Sequence, residues 1–318
     1  MAIVKLYPVS ESEVDFHWEP AGKQCKTWYK VVGDLATATQ PAVIVLHGGP
    51  GAGHEYLIPL AELWETHGIP VVLYDQVGCA RSTRFPEKLG DGDFWSFDLF
   101  IAELDNLIDH LGLRAPLGFS LVGQSWGGML GAEYASRHPP GLHKFVNAGG
   151  PASFPLMAEG EKPMLAALPD DVRKTIEDCL AKEDYESEAF EEASGVFYAR
   201  HFCCLDPFPD EVQECFGHLK EDPTVYKTMT GPCEFVLTGS LESWDGGRDV
   251  AHKIEVDTLL INGQYDEVSD LCMEPWFANI PRVRWVTLSD ASHMSHHEQG
   301  ERFLKLCADF LFVKSDKT

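Results

Sequence analysis

The sequence has no apolar run approaching the roughly 18 residues that a helix needs to cross a bilayer, which argues against a membrane-spanning protein. It is also poor in positive charge: 25 lysines and arginines stand against 50 aspartates and glutamates, a formal net charge of −25. That excess opposes contact with polyphosphate or anionic membrane surfaces, so neither nucleic acid nor membrane is expected as a partner. It keeps the surface soluble and favours the approach of cationic or amine-bearing molecules. The nine cysteines, scattered from Cys25 to Cys307, contain no C-x-x-C pair and no regular disulfide spacing. Reduced thiols in a cytoplasmic protein are therefore expected. Residues 1–10 are interrupted by Lys5 and Pro8 and lack the apolar core of a signal peptide. No internal repeat and no low-complexity tract is present. The glycine-rich turn after residue 46 lacks the lysine and hydroxyl of a phosphate loop.

What the chain does have is an ordinary globular composition, 44% apolar and 24% charged over 318 residues, enough for one large domain with a substantial insertion. Two runs rich in β-formers, Val14 to Trp18 and Lys26 to Val32, predict a leading antiparallel hairpin. Continuous apolar runs follow at Ala42 to Leu46, Pro70 to Tyr74, Leu117 to Val122 and Lys144 to Val146, as expected of parallel strands covered on both faces. Between them lie helical patterns, the clearest from Phe97 to Leu111 with apolar residues three and four apart. Strand and helix alternate, which predicts an α/β fold with a mostly parallel central sheet. The alternation stops at Pro151 and resumes near Ile254. The stretch between, with helices expected around 171–180, 189–200 and 210–219, reads as a helical cap (151–247) inserted into a core formed by 1–150 and 248–318. Strand character returns at Thr258 to Ile261 and Val283 to Leu288, and a last helix is expected from about Glu301 to Leu311.

Leu121-Val-Gly-Gln-Ser-Trp-Gly-Gly128 places Ser125 between Gly123 and Gly127, directly after an apolar run. A serine on a tight strand-to-helix turn needs such glycines, because a β-carbon there would strike neighbouring backbone. A serine hydroxyl is a weak nucleophile and requires a base with a third group to orient it. In an α/β-hydrolase arrangement the acid and then the histidine follow the serine, each on a loop after a strand. Asp266 and His293 occupy those positions. Asp266 also reads as one more surface carboxylate, with Glu267 and Asp270 as competitors, and His293 has rivals in His296 and His297 among 13 histidines. The turn His47-Gly-Gly-Pro-Gly51 either needs glycine only for tightness or turns its amides toward an oxyanion; Gly49 and Trp126 are then the donors. Cys79 lies near the proposed site and reads as a packing thiol.

These segments, with Tyr74-Asp-Gln-Val-Gly-Cys-Ala-Arg-Ser82, Gly263-Gln-Tyr-Asp-Glu267 and Ser292-His-Met294, together resemble the proline iminopeptidases. Met229-Thr-Gly-Pro-Cys-Glu-Phe235 and the run from Thr238 to Trp244 are most similar to the tricorn-interacting aminopeptidase branch. The resemblance implies a serine peptidase of the α/β-hydrolase fold that releases an N-terminal residue, often proline, from short peptides or amides. It also implies that Glu234 and Glu267 hold the substrate's ammonium group, where composition alone reads two solvated acids. Trp126 and Phe235 either wall a proline ring or belong to the core. The chain departs from the family at Val77, where arginine is common, and at Ala80, where glycine is common, which bears on the geometry of that loop and so on substrate choice.

The expected function is thus a serine hydrolase acting through an acyl-enzyme on a small-molecule or short-peptide substrate. The catalytic residues are Ser125, Asp266 and His293, and neither metal nor organic cofactor is required. The alternative is an esterase, lactonase or amidase for a small specialised metabolite. A binding protein on the same scaffold could dispense with the triad, and this chain keeps all three members in order.

Overall fold

The structure is a computed structural model that describes residues 8–313. The reading of the first ten residues therefore lies, up to residue 7, outside the described part. Strands β1 (Val9–Phe16) and β2 (Cys25–Val32) form the antiparallel hairpin, with Val14 opposite Thr27. β1 begins earlier than its sequence suggests: positions 9–13 are exposed on an edge strand and carry Ser-Glu-Ser-Glu, so no apolar pattern marks them.

The other strands are β3 (Ala42–Leu46), β4 (Val71–Tyr74), β5 (Phe119–Gln124), β6 (Leu142–Ala148), β7 (Asp257–Gly263) and β8 (Val283–Leu288). They complete one eight-stranded sheet of order β1-β2-β4-β3-β5-β6-β7-β8, parallel from β4 to β8. β5 starts two residues later than expected, because Gly118 turns at φ 72° and leaves Leu117 exposed.

The helices are α1 (Glu62–His67), α2 (Phe97–His110), α3 (Trp126–Ala135), α4 (Phe154–Ala166), α5 (Asp170–Ala181), α6 (Glu188–His201), α7 (Asp210–Glu221), α8 (Thr224–Met229), α9 (Gly246–Asp249), α10 (Asp270–Asn279), α11 (Ser295–Glu298) and α12 (Gly300–Leu311). Ile44, Leu46, Val72, Leu121 and Phe145 face one side of the sheet, in an apolar cluster with α2, α3 and α10. Val43, Val45, Val71, Val122 and Val146 face the other side, with α1 and α12. Successive side chains leave a strand on opposite faces. Both faces are covered, so both must be apolar, and this is why the strands read as unbroken runs.

Helices α4 to α9 lie between β6 and β7. Their segment carries its own apolar cluster, centred on Leu168, Ile176, Phe190 and Phe197. Its two ends meet: Ser153 bridges Asp245, and the Gly247 amide donates to the Ala152 carbonyl at 2.8 Å. No described helix is long and apolar enough to cross a membrane.

Candidate active site

Ser125 sits between the last residue of β5 and the first of α3, with φ 55° and ψ −125°. Glycine is needed around it for three separate reasons. A β-carbon on Gly123 would strike the Gly127 carbonyl, one on Gly127 the Leu46 carbonyl, and one on Gly128 the Asn147 side chain. The Ser125 amide donates to the Ala148 carbonyl at 3.0 Å. This ties the turn to the end of β6.

Asp266 follows β7, and its Oδ1 accepts both the Val268 amide and His293 Nδ1, each at 2.8 Å. Both side chains are buried. Because Nδ1 donates to the carboxylate, Nε2 of the neutral ring is left as the acceptor. Burial pushes the His293 imidazolium down, but the charge and hydrogen bond of Asp266 outweigh it and leave the pKa above 6.5. Gly149, next to the Ala148 carbonyl that holds Ser125, lies against this pair: a β-carbon on it would be 3.1 Å from both Asp266 Oδ2 and His293 Nδ1. The structure therefore brings Ser125, Asp266 and His293 to one end of the sheet. His296 and His297 turn elsewhere, both onto the Tyr56 carbonyl. Asp270 accepts from Asn262 at 2.9 Å.

The turn after β3 is fixed by residues that sequence reasoning did not select. Tyr56 Oη accepts the Gly48 amide at 2.7 Å and donates to Gln124 Oε1 at 2.6 Å. Gln76 donates to the His47 carbonyl and accepts Trp126 Nε1, each at 2.9 Å, clipping the turn to the serine. His47 accepts the Gln76 amide at Nε2 (2.9 Å), and burial holds its pKa down, so the ring is neutral. Neither the Gly49 nor the Trp126 amide donates a hydrogen bond among the described residues. The Trp126 indole is buried, 4.9 Å from Phe97 and 5.4 Å from Phe100, and so belongs to the core. Phe235 packs on Phe197 at 5.0 Å within the helical segment.

Glu267 and Glu234 both approach the histidine. Glu267 Oε1 is 3.7 Å from His293 Nε2, and its Oε2 is buried with no hydrogen-bond partner among the described residues. Glu234 accepts the Tyr226 hydroxyl at 2.7 Å. Burial pushes both carboxyls up, Glu267 well above the usual range, with the Glu234 charge adding to it. A third glutamate, Glu161 on α4, is also buried, has an Oε1 with no hydrogen-bond partner among the described residues, and is pushed well up by burial and by Glu234. Nothing in the sequence singled it out.

At the departures, the Val77 amide donates to both oxygens of buried Glu103, at 2.9 and 3.0 Å, and burial raises Glu103 to about 8. Ala80 adopts φ 44°, the region that glycine tolerates best. Cys79 is buried, and its thiol is pushed well up by that burial, which suits packing rather than attack. The end of α6 reaches both loops: the His201 carbonyl accepts the Glu267 amide at 3.1 Å and the His293 amide at 3.2 Å.

Residues 41–299 match a family described as alpha/beta hydrolase fold. The proline iminopeptidase of Saccharolobus solfataricus is 32% identical over 269 residues, covering 85% of this chain and 84% of that protein. The structure of the Mycobacterium smegmatis proline iminopeptidase is 34% identical, with a TM-score of 0.83 over 94% of this chain and 97% of that one. The structure of VinJ is 39% identical, with a TM-score of 0.88 over 94% of this chain and 98% of that one. The chain is a hydrolase, and it belongs to the proline iminopeptidase family of the α/β-hydrolase fold.

Proposed function

We propose that the enzyme releases an N-terminal residue from short peptides or amino-acid amides through an acyl-enzyme on Ser125. His293 Nε2 takes the hydroxyl proton as Oγ attacks the carbonyl carbon, and Asp266 keeps the ring in the required tautomer and stabilises the imidazolium. The Gly49 and Trp126 amides bind the oxyanion of the tetrahedral intermediate; loss of one such donor typically costs about 100- to 1000-fold in turnover. His293 returns its proton to the leaving amine, and water then releases the acyl group by the same steps in reverse order. Glu234 and Glu267 receive the substrate's α-ammonium. Residues 151–247 act as a cap that limits substrates to small molecules and short peptides, so a folded protein should not be cleaved.

The observation that supports this reading is Glu267, a buried carboxylate 3.7 Å from the nitrogen that serves as base. Burial favours the neutral form of that carboxyl, and a neutral ester or lactone brings no cation to draw it into its charged form. An amine-bearing substrate supplies the charge.

The test is a panel of aminoacyl-arylamides with matched N-acetyl and ester analogues. Free-amine substrates should be strongly preferred, and Ser125→Ala should abolish turnover and labelling by a fluorophosphonate. Glu234→Gln or Glu267→Gln should lower kcat/KM for free-amine substrates by about ten- to more than a hundredfold, the worth of a charge-assisted hydrogen bond, and much less for neutral esters. Equal cleavage of N-acetyl and free-amine substrates, unchanged by either variant, would put the esterase or amidase alternative in its place.

A further inference from the structure

Three glutamates, not two, converge in this site: the charge of Glu234 acts on Glu161, and those of Glu234 and Glu161 act on Glu267. Glu161 lies on the turn of α4 that packs against the loop carrying Glu267: a β-carbon on Gly160 would be 2.7 Å from Ser269 Oγ and 3.4 Å from Cys272 Sγ. One turn further along, Met164 and Leu165 pack into the apolar cluster that contains Cys233, the neighbour of Glu234. Glu161 is thus held between the segments that carry the other two. It is only 3% exposed. Its Oε1 and Glu267 Oε2 are buried with no hydrogen-bond partner among the described residues. No lysine or arginine forms an ion pair with Glu161, Glu234 or Glu267 among those residues. Tyr226 satisfies one oxygen of Glu234. Two buried acceptors left open side by side in one site call for donors, which an amine ligand supplies.

The number of donors can be matched to a chemical class. A primary ammonium carries three N–H groups in a tetrahedral fan, whereas the ring nitrogen of an N-terminal proline carries two. Resting on the aminopeptidase reading above, we propose that Glu161 is the third acceptor of the amine site, so that the enzyme favours N-terminal residues with a primary amine over proline and other secondary amines. With a secondary amine one buried carboxylate is left without its N–H, and the site is penalised for leaving a polar group unpaired.

The experiment compares the arylamides of alanine, N-methylalanine and proline with wild-type enzyme and with Glu161→Gln, alongside N-acetylalanine arylamide. N-methylalanine replaces one N–H of alanine by a methyl group and keeps an open chain, so it separates donor count from ring shape, and the Glu161→Gln comparison separates it from the bulk of that methyl. Wild-type kcat/KM should be higher for alanine than for N-methylalanine by about tenfold or more, the scale of one charge-assisted hydrogen bond. In Glu161→Gln the alanine value should fall by a similar factor while the N-methylalanine value changes several-fold less, so the ratio collapses. A ratio unchanged within twofold, or equal losses on both substrates, overturns the role of Glu161. A wild-type enzyme that prefers N-methylalanine or proline also overturns it, and that result requires no variant to fold. Cleavage of the N-acetyl substrate as fast as free alanine arylamide would instead overturn the aminopeptidase reading.

Discussion

Replacing Ser125 by alanine and by glycine should give two inactive proteins of different stability. At φ 55° and ψ −125° the residue occupies backbone space in which a β-carbon is strained. Such conformations cost about 1–3 kcal/mol in non-glycine residues. Alanine keeps the β-carbon and the strain, whereas glycine relieves it. Against this, glycine gives the unfolded chain more freedom, worth about 0.4–1 kcal/mol. The strain term is the larger, so Ser125→Gly should be more stable than Ser125→Ala by about 0.5–2 kcal/mol. Both variants lack the hydroxyl, so the comparison cancels any hydrogen bond that serine makes. Urea unfolding of the two proteins, read as a shift in midpoint at constant slope, measures the difference. A glycine variant no more stable than the alanine variant would refute the claim that the nucleophile is held in a strained conformation.

The pH profile should distinguish substrates. His293 must lose its proton to act as base and its pKa lies above 6.5, so on acidification kcat/KM should begin to fall above that value. The buried carboxyls are raised too, and an ammonium substrate needs them ionised. Its acid limb should therefore be steeper than one proton, while that of a neutral ester stays at one; identical slopes would count against the amine site. His218 of α7 pairs with buried Glu55 at 3.3 Å. Despite burial, His218 and His54 bring Glu55 down to about 2, and Glu55 raises His218. The depressed carboxyl contributes stability above its ordinary 4.5 and the raised imidazole contributes below its ordinary 6.5. His218→Gln should thus cost about 1–3 kcal/mol between those values, a deficit that shrinks as pH rises through the raised pKa of His218. Unfolding measured across the range checks this. Finally, Gly127→Ala should abolish turnover and destabilise the fold, since its β-carbon meets backbone that cannot move aside; near-normal activity in a steady-state assay would contradict the packing.

The sheet was legible because burial on both faces writes itself as unbroken apolar runs, as at Ala42–Leu46 and Val71–Tyr74. Helices α4 and α10 were not, because each contains a proline, Pro163 or Pro275, that local rules place outside a helix. Ser125 announced itself through its glycines, which answer to steric demands within a few residues of chain. The glutamates could not. A carboxylate buried by the approach of α4, α8 and the loop after β7 looks, in one dimension, like the other acidic residues on the surface; Glu234 and Glu267 were reached only through family resemblance. Gln76 and Tyr56 escaped for the same reason: their partners, Trp126 and Gln124, lie 50 and 68 positions away.

The paired hydrogen bonds on the His201 carbonyl have an evolutionary consequence. One oxygen at the end of α6 anchors the amides of Glu267 and His293, so the helical segment and the loops that follow β7 and β8 share a mechanical joint. Insertions, deletions or prolines that shift the last turn of α6 should be filtered out, because they would displace the loops of Glu267 and His293 together. Grafting this helical segment onto another hydrolase core should succeed only when that joint travels with it.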